Sequence, residues 1–138
     1  MLVKDGMSEV VLTVGPAHTL RQAAAMMVEK GTGAALVDDA DLPTPGIVTE
    51  RDLLISVAAG QDPDVERVGD HMSERVLAAA PEWSLERAAA EMSRRGVRHL
   101  VVFEGSELVG VLSMRDIVRC WTSDGATSEV VSGGVSRR

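Results

Sequence analysis

The first 60 residues show one periodic stretch set among short apolar runs. Val10 to Val14 is a short apolar run that Pro16 breaks, which reads as a strand. Leu20, Ala23, Ala24, Met27 and Val28 follow at i, i+3, i+4, i+7 and i+8, the spacing of one apolar helix face. Thr19 with Gln22 three residues on has the form of a capping box, and Gly31 fits the helix C-terminus. Ala34–Val37 and Gly46–Val48 are apolar runs split by a polar loop, the pattern of a hairpin. Thr49 then opens a second helix over roughly 50–59. The predicted order is β-α-β-β-α.

The same order is written again. Met7-Ser8-Glu9 returns as Met72-Ser73-Glu74, 65 residues later, and Pro16, Leu20, Met27, Gly31 and Val37 return at that offset as Pro81, Leu85, Met92, Gly96 and Val102. Gly46 returns as Gly110, so one residue is lost inside the hairpin loop, where folded units tolerate length changes. The second unit predicts a strand over Val76–Ala80, a helix face of Leu85, Ala88, Ala89 and Met92, a hairpin of His99–Phe103 and Leu108–Leu112, and a helix over 114–121 opened by Ser113. The expected organisation is repeat 1 over 6–59, a linker over 60–69, repeat 2 over 70–121, and a mobile Ser/Gly/Thr-rich tail over 122–138. A unit of this size buries little surface alone. The expected fold is therefore α/β (α+β), with two repeats packed sheet to sheet about a pseudo-two-fold axis and two equivalent clefts between them.

Composition narrows the chemistry. Aromatic residues are 2 % of the chain, so the core must be aliphatic and methionine-rich. A net charge of −7 disfavours nucleic acid as a partner, which needs a basic surface. A single cysteine, Cys120, excludes an intrachain disulfide and fits a reducing, cytoplasmic setting. The start lacks a basic region followed by an apolar run, and no stretch approaches 18 apolar residues, so neither a signal peptide nor a membrane span is expected.

Each repeat ends in one phrase: "GIVTERD" at 46–52 and "GVLSMRD" at 110–116. The simple reading is a capping box, with Thr49 and Asp52, or Ser113 and Asp116, closing a helix start for about 1 kcal/mol each. That leaves Arg51 and Arg115 unexplained, because a cation in the first turn faces the positive end of the helix dipole. The functional reading uses every residue. Helix-start amides, the hydroxyl and the arginine suit a phosphate, the aspartate suits a sugar diol, and the glycine permits sharp entry or close approach. Phosphate, diol and apolar strand surface together describe a nucleotide. Both readings stand at this stage.

With the repeat, its spacing and the flanking phrases "AAAMMVEKGTGAALVDD" and "GVRHLVVFEGSELVGVLSMRDIV", the chain over roughly 6–121 resembles a tandem pair of cystathionine-β-synthase (CBS) domains, or Bateman module. The resemblance implies a non-catalytic regulatory module, a homodimer acting on a partner enzyme or transporter, as in energy sensing. It implies an adenosyl ligand in the clefts: AMP, ADP, ATP, S-adenosylmethionine or an NAD-like dinucleotide, with no obligatory cofactor. It gives phosphate to Thr49 and Ser113 and ribose to Asp52 and Asp116. The base would lie against Leu12-Thr13 and Thr32 to Ala35 (Gly33 and Ala34 among them) in repeat 1. In repeat 2 it would lie against Leu77-Ala78 and Val97 to Leu100, including Arg98 and His99. Arg51 and Arg115 occupy a variable position of the family, so their phosphate role rests on the chemistry above. Repeat 2 has Ala78 where repeat 1 has Thr13, and Arg98 where repeat 1 has Gly33, so the two sites are expected to differ in affinity.

Other residues carry weaker signals. His18, His71 and His99 are scattered without ligand spacing, and a solvated acidic loop explains Asp38, Asp39 and Asp41 better than a cation site does. Cys120 reads as a core thiol, Trp83 and Trp121 as edge packing, and Met26, Met27, Met92 and Met114 as core or interface filler. No nucleophile–base pair, phosphate loop or dinucleotide fingerprint is present, so no catalytic activity is expected. The competing reading is a ligand-free dimerisation or protein-interaction scaffold.

Overall fold

In a computed structural model of the chain, which describes residues 1–9 and 11–123, the helices start where their caps are written. Thr19 accepts from the Gln22 amide and closes a full capping box on α2 (Leu20–Lys30). Ser84 caps α4 (Leu85–Arg95) through the Arg87 amide. Both helices stop at a left-handed glycine, Gly31 at φ 69° and Gly96 at φ 70°, a conformation that a side chain would strain. Leu20, Ala23 and Met27 of α2 are buried, as are Leu85, Ala88 and Met92 of α4. Val28 departs from its predicted place on the apolar face: it is 82 % exposed, because a helix drifts around its axis and the buried stripe closes at Met27.

Two three-stranded sheets carry the repeats. In the first, β1 (Thr13–Val14) runs parallel to the central β2 (Ala34–Val37), which pairs antiparallel with β3 (Gly46–Thr49). In the second, β4 (Ala78–Ala79), β5 (His99–Glu104) and β6 (Glu107–Ser113) lie in the same order. The helices α3 (Glu50–Ala58) and α5 (Met114–Trp121) leave the ends of β3 and β6. The edge strands β1 and β4 are two residues long, shorter than the apolar runs predicted for them. The proposed tail lies outside the described residues beyond Ser123.

Two compact units emerge, and their boundaries cut across those of the repeats. One is Glu9–Ala78; the other is Met1–Ser8 together with the described chain from Ala79 to Ser123. In the first unit Leu12, Val14, Leu20, Met27, Val37 and Val48 share a core with Val68, which lies in a 3-10 turn over Val68–Asp70. The stretch 60–69, expected to be a linker, is thus bound into this unit. Pro63 and Glu66 carbonyls accept from the Arg21 and Leu20 amides, and the Val68 and Gly69 amides donate to His18 and Pro16. In the second unit the short helix α1 (Val3–Gly6) takes the corresponding place. The Val3 and Lys4 amides donate to Trp83 and Pro81, and Val3 is fully buried.

The Met-Ser phrases that first revealed the repeat are structural counterparts. Ser73 pairs with Ile47 at the free edge of β3 through two backbone hydrogen bonds of 2.9 and 2.8 Å. Ser8 pairs with Val111 on β6 through bonds of 2.8 and 3.0 Å. The methionine before each serine lies on the motif glycine. A Cβ on Gly46 would come within 2.9 Å of Met72 Sδ and 3.0 Å of the Ser73 carbonyl oxygen. A Cβ on Gly110 would come within 2.8 Å of both Met7 Sδ and the Ser8 carbonyl oxygen. The first residue of the motif is therefore glycine because another strand of backbone passes over it.

Candidate functional site

The hydroxyl and carboxylate of the repeated motif meet as the capping reading requires. Thr49 is the N-cap of α3. Its amide donates to Asp52 Oδ2 at 2.8 Å, its hydroxyl donates to the same oxygen at 3.1 Å, and its Oγ1 accepts from the Asp52 amide at 3.4 Å. Ser113 caps α5 in the same way, with its amide 2.8 Å from Asp116 Oδ2 and its Oγ accepting from the Asp116 amide at 3.0 Å. Asp116 Oδ1 also forms an ion pair with Arg119 one turn on, at 2.9 Å. Each box satisfies amides that a helix start leaves without intrahelical partners.

The strands bring further predicted residues to each box. In the first unit Ala34 is the register partner of Thr49, and the Gly33 carbonyl accepts from the Glu50 amide at 2.9 Å. Thr13 is exposed on the neighbouring strand, in register with Leu36, two residues along from Ala34. The Thr32 hydroxyl donates to the Ala34 carbonyl at 3.3 Å and holds this corner. Ala35 is 2 % exposed and part of the unit's core, so it backs the edge rather than lining it. Arg51 is exposed on the first turn of α3. In the second unit His99 is the partner of Ser113, half-buried, and the Arg98 carbonyl accepts from the Met114 amide at 2.9 Å. Arg98 and Arg115 are exposed, while the Val97 amide closes α4 by donating to the Met92 carbonyl; Ala78, the last residue of the other unit, is exposed on β4.

One residue of this corner escaped the sequence reading. Glu50 occupies the variable fifth position of the motif, and its side chain folds back over Gly33. A Cβ on Gly33 would lie 2.7 Å from Glu50 Oε2. Repeat 2 has Met114 at that position and Arg98 in place of Gly33. The signal was available in the motif itself, where Glu and Met stand at the one place that differs in charge.

The histidines have local roles. His18 Nδ1 accepts from the Gly15 amide at 2.9 Å, and His71 Nε2 lies 2.7 Å from Glu66 Oε1. Among the described residues no three His, Cys, Asp or Glu side chains are grouped to hold a metal ion. Cys120 is buried beneath α1, and the Arg87 guanidinium stacks on Trp83 at 3.8 Å. Among the described residues no helix is long and apolar enough to cross a membrane.

The model of the CBS domain family matches residues 3–59 and again 68–122, which includes both capping boxes and both Met-Ser segments. This chain belongs to the CBS-domain family. The CBS domain-containing protein YhcV of Bacillus subtilis is 32 % identical over 116 residues, covering 83 % of this chain and 81 % of that protein. Other relatives are longer: the chain spans 57 % of an uncharacterized protein of Methanopyrus kandleri, with 35 % identity over 112 residues. Among solved structures, a hexameric CBS-CP12 protein from bloom-forming cyanobacteria superposes with a TM-score of 0.79 at 30 % identity, covering 86 % of this chain and 66 % of that one. The CBS domain pair of protein MJ0100, solved with 5′-methylthioadenosine and S-adenosyl-L-methionine, gives a TM-score of 0.78 over 90 % of this chain and 98 % of that one. At 21 % identity that likeness is one of fold.

Proposed function

We propose that this CBS pair is a non-catalytic, cytoplasmic regulatory module. It binds an adenosyl ligand (AMP, ADP or ATP, S-adenosylmethionine or an NAD-like dinucleotide) at the motif corner of each repeat. As a homodimer it signals to a partner enzyme or transporter by a change of conformation. The observation that carries this reading is the duplicated corner: a hydroxyl and a carboxylate at a helix start, directly beside the opening residues of the central strand. Thr49 or Ser113 with the adjacent arginine serves the phosphate end, and Asp52 or Asp116 serves the ribose. Thr13, Gly33 and Ala34, backed by Ala35, or Ala78, Val97, Arg98 and His99, flank the base. The CBS pair that carries methylthioadenosine and S-adenosylmethionine supports adenosyl compounds as the class. A ligand acts only through its different affinity for two conformations.

A thermal-shift series with AMP, ADP, ATP, S-adenosylmethionine and NAD tests this. A ligand at 100 times its Kd stabilises by about 2.7 kcal/mol, which raises Tm by roughly 8–10 °C at this chain length. No shift with any of the five would refute the reading. A specific observation favours a second function, that of a protein-interaction scaffold. Both motif carboxylates are already engaged as caps, while α3 turns Leu54, Ile55 and Val57 to solvent, each more than half exposed. Large apolar side chains clustered on one helix are a common mark of an interaction surface. On that reading Leu54→Glu leaves Tm nearly unchanged and lowers the oligomeric state in sedimentation.

A further inference from the structure

Two of the seven methionines hold the same place in both repeats and are only half-buried. Met7 and Met72 lie on the motif glycines, their sulfurs 2.8 and 2.9 Å from where a Cβ on Gly110 or Gly46 would stand. The other repeated pair, Met27 and Met92, is 3 % and 0 % exposed and fills the cores. Met1, Met26 and Met114 have Glu66, Glu91 and Glu50 as their counterparts, so a thioether is not kept there. Core filling explains the buried pair. It does not explain why a sulfur is kept twice where packed backbone meets solvent, since leucine fills nearly the same volume. The position is also mechanically sensitive. The serine after each methionine holds a strand edge: the Ile47 amide donates to the Ser73 carbonyl at 2.9 Å, and the Val111 amide donates to the Ser8 carbonyl at 3.0 Å. Those carbonyl oxygens lie 3.0 and 2.8 Å from the same Cβ positions, so a sulfur and a carbonyl oxygen crowd one face of each glycine.

We propose that Met7 and Met72 are modification sites, oxidised by a peroxide, and that their oxidation releases the Met-Ser segments from β6 and β3. A sulfur lone pair attacks one oxygen of hydrogen peroxide. The S–O bond forms as the O–O bond breaks, and sulfur gives up two electrons. The second oxygen leaves as water, carrying the proton of the transferred one. The product is a sulfoxide, polar and chiral where the thioether was apolar. Its oxygen needs a hydrogen-bond donor, and beside the glycine it meets the serine carbonyl, which is an acceptor only. Withdrawing the segment from the strand edge lets water reach the sulfoxide and frees the Ile47 or Val111 amide. Each freed amide lies two residues before a motif hydroxyl, Thr49 or Ser113, so the change is felt at the end of the strand that enters the capping box. Methionine sulfoxide reductases reverse the step, which makes it a switch. The inference is independent of the adenosyl-binding reading.

The test treats the full chain with hydrogen peroxide, locates each added oxygen by peptide mass spectrometry, and follows hydrogen exchange of the Ile47 and Val111 amides by NMR. Met7 and Met72 are expected to gain oxygen while Met27 and Met92 stay reduced. Exchange at Ile47 and Val111 is expected to rise about tenfold, the scale of one side chain's lost apolar packing, and to return after treatment with a sulfoxide reductase. Met72→Leu keeps the volume without the sulfur; it is expected to abolish the response at Ile47 and leave Val111 responsive, and Met7→Leu to do the reverse. Met72→Gln and Met7→Gln place a polar group at the same points without oxidant. Each is expected to raise exchange of its own amide in untreated protein, which keeps the test open should the oxidised chain precipitate. If Met7 and Met72 gain oxygen no faster than Met27 and Met92, or gain it while both amides exchange as before, the proposal is overturned. A rise at Val111 that persists in Met7→Leu would assign the response to the buried Cys120 thiol beneath Gly6 and overturn the Met7 site.

Discussion

Replacing Gly110 by alanine separates the two explanations of the motif glycine. Its backbone is not in the left-handed region, so alanine meets no strain from φ. Removing a glycine would ordinarily stabilise by about 0.4–1 kcal/mol through the unfolded chain. The structure predicts the opposite sign. The new methyl group would lie 2.8 Å from Met7 Sδ and 2.8 Å from the Ser8 carbonyl oxygen. The thioether can swing away, but the carbonyl cannot, because Ser8 is tied to Val111 by hydrogen bonds of 2.8 and 3.0 Å. Relief requires backing the 3–8 segment off β6. Overpacking costs about 1–3 kcal/mol, and weakening those two bonds adds about 1 kcal/mol each. Less the entropic gain, the net destabilisation is about 2–4 kcal/mol, a fall in Tm of roughly 6–15 °C at this size. Urea denaturation with far-ultraviolet circular dichroism measures it. Met7→Ala in the same chain should recover only part of the loss. A Gly110→Ala protein as stable as the parent would refute the packing argument. If such a protein had also lost ligand affinity, the glycine would belong to the ligand.

Further outcomes follow from the same contacts. Val68→Ala empties a fully buried position in a stretch that pattern alone reads as a linker, and should cost about 2 kcal/mol in a denaturant melt; a free linker would lose nothing. Gly6→Ala drives a methyl group to within 2.8 Å of Cys120 Sγ and should destabilise, whereas Gly6→Ala with Cys120→Ala should recover most of the loss. Thr49→Ala and Asp52→Ala should each cost about 1 kcal/mol, and the double variant clearly less than their sum, because both act in one capping box.

Much of this fold is written locally. A hydroxyl followed by an acceptor three residues on starts α2, α3 and α5, and a glycine in the left-handed region ends α2 and α4. These interactions span only a few residues, so reading neighbours in order suffices to find them. The duplication was equally legible, because each copy repeats the same caps and apolar spacing. The motif corner was legible in part. The hydroxyl and carboxylate meet as the capping pattern requires, while Glu50 was passed over because its partner, Gly33, is brought to it by strand pairing.

The sequence by itself therefore determined the duplicated β-α-β-β-α elements and their order, since helix caps and apolar periods are short-range physics, but not the short helix α1 or the 3-10 turn over Val68–Asp70. Only the tertiary structure decided which copy each Met-Ser segment joins. Met7-Ser8 lies against Gly110 and Val111, and Met72-Ser73 against Gly46 and Ile47. Each segment meets two nearly identical strand edges in the sequence, both opened by a glycine and followed by an aliphatic residue. Local pattern cannot choose between equivalent partners; chain connectivity and the burial of Val3 and Val68 do. The placement of Glu50 over Gly33 was settled by the same long-range pairing.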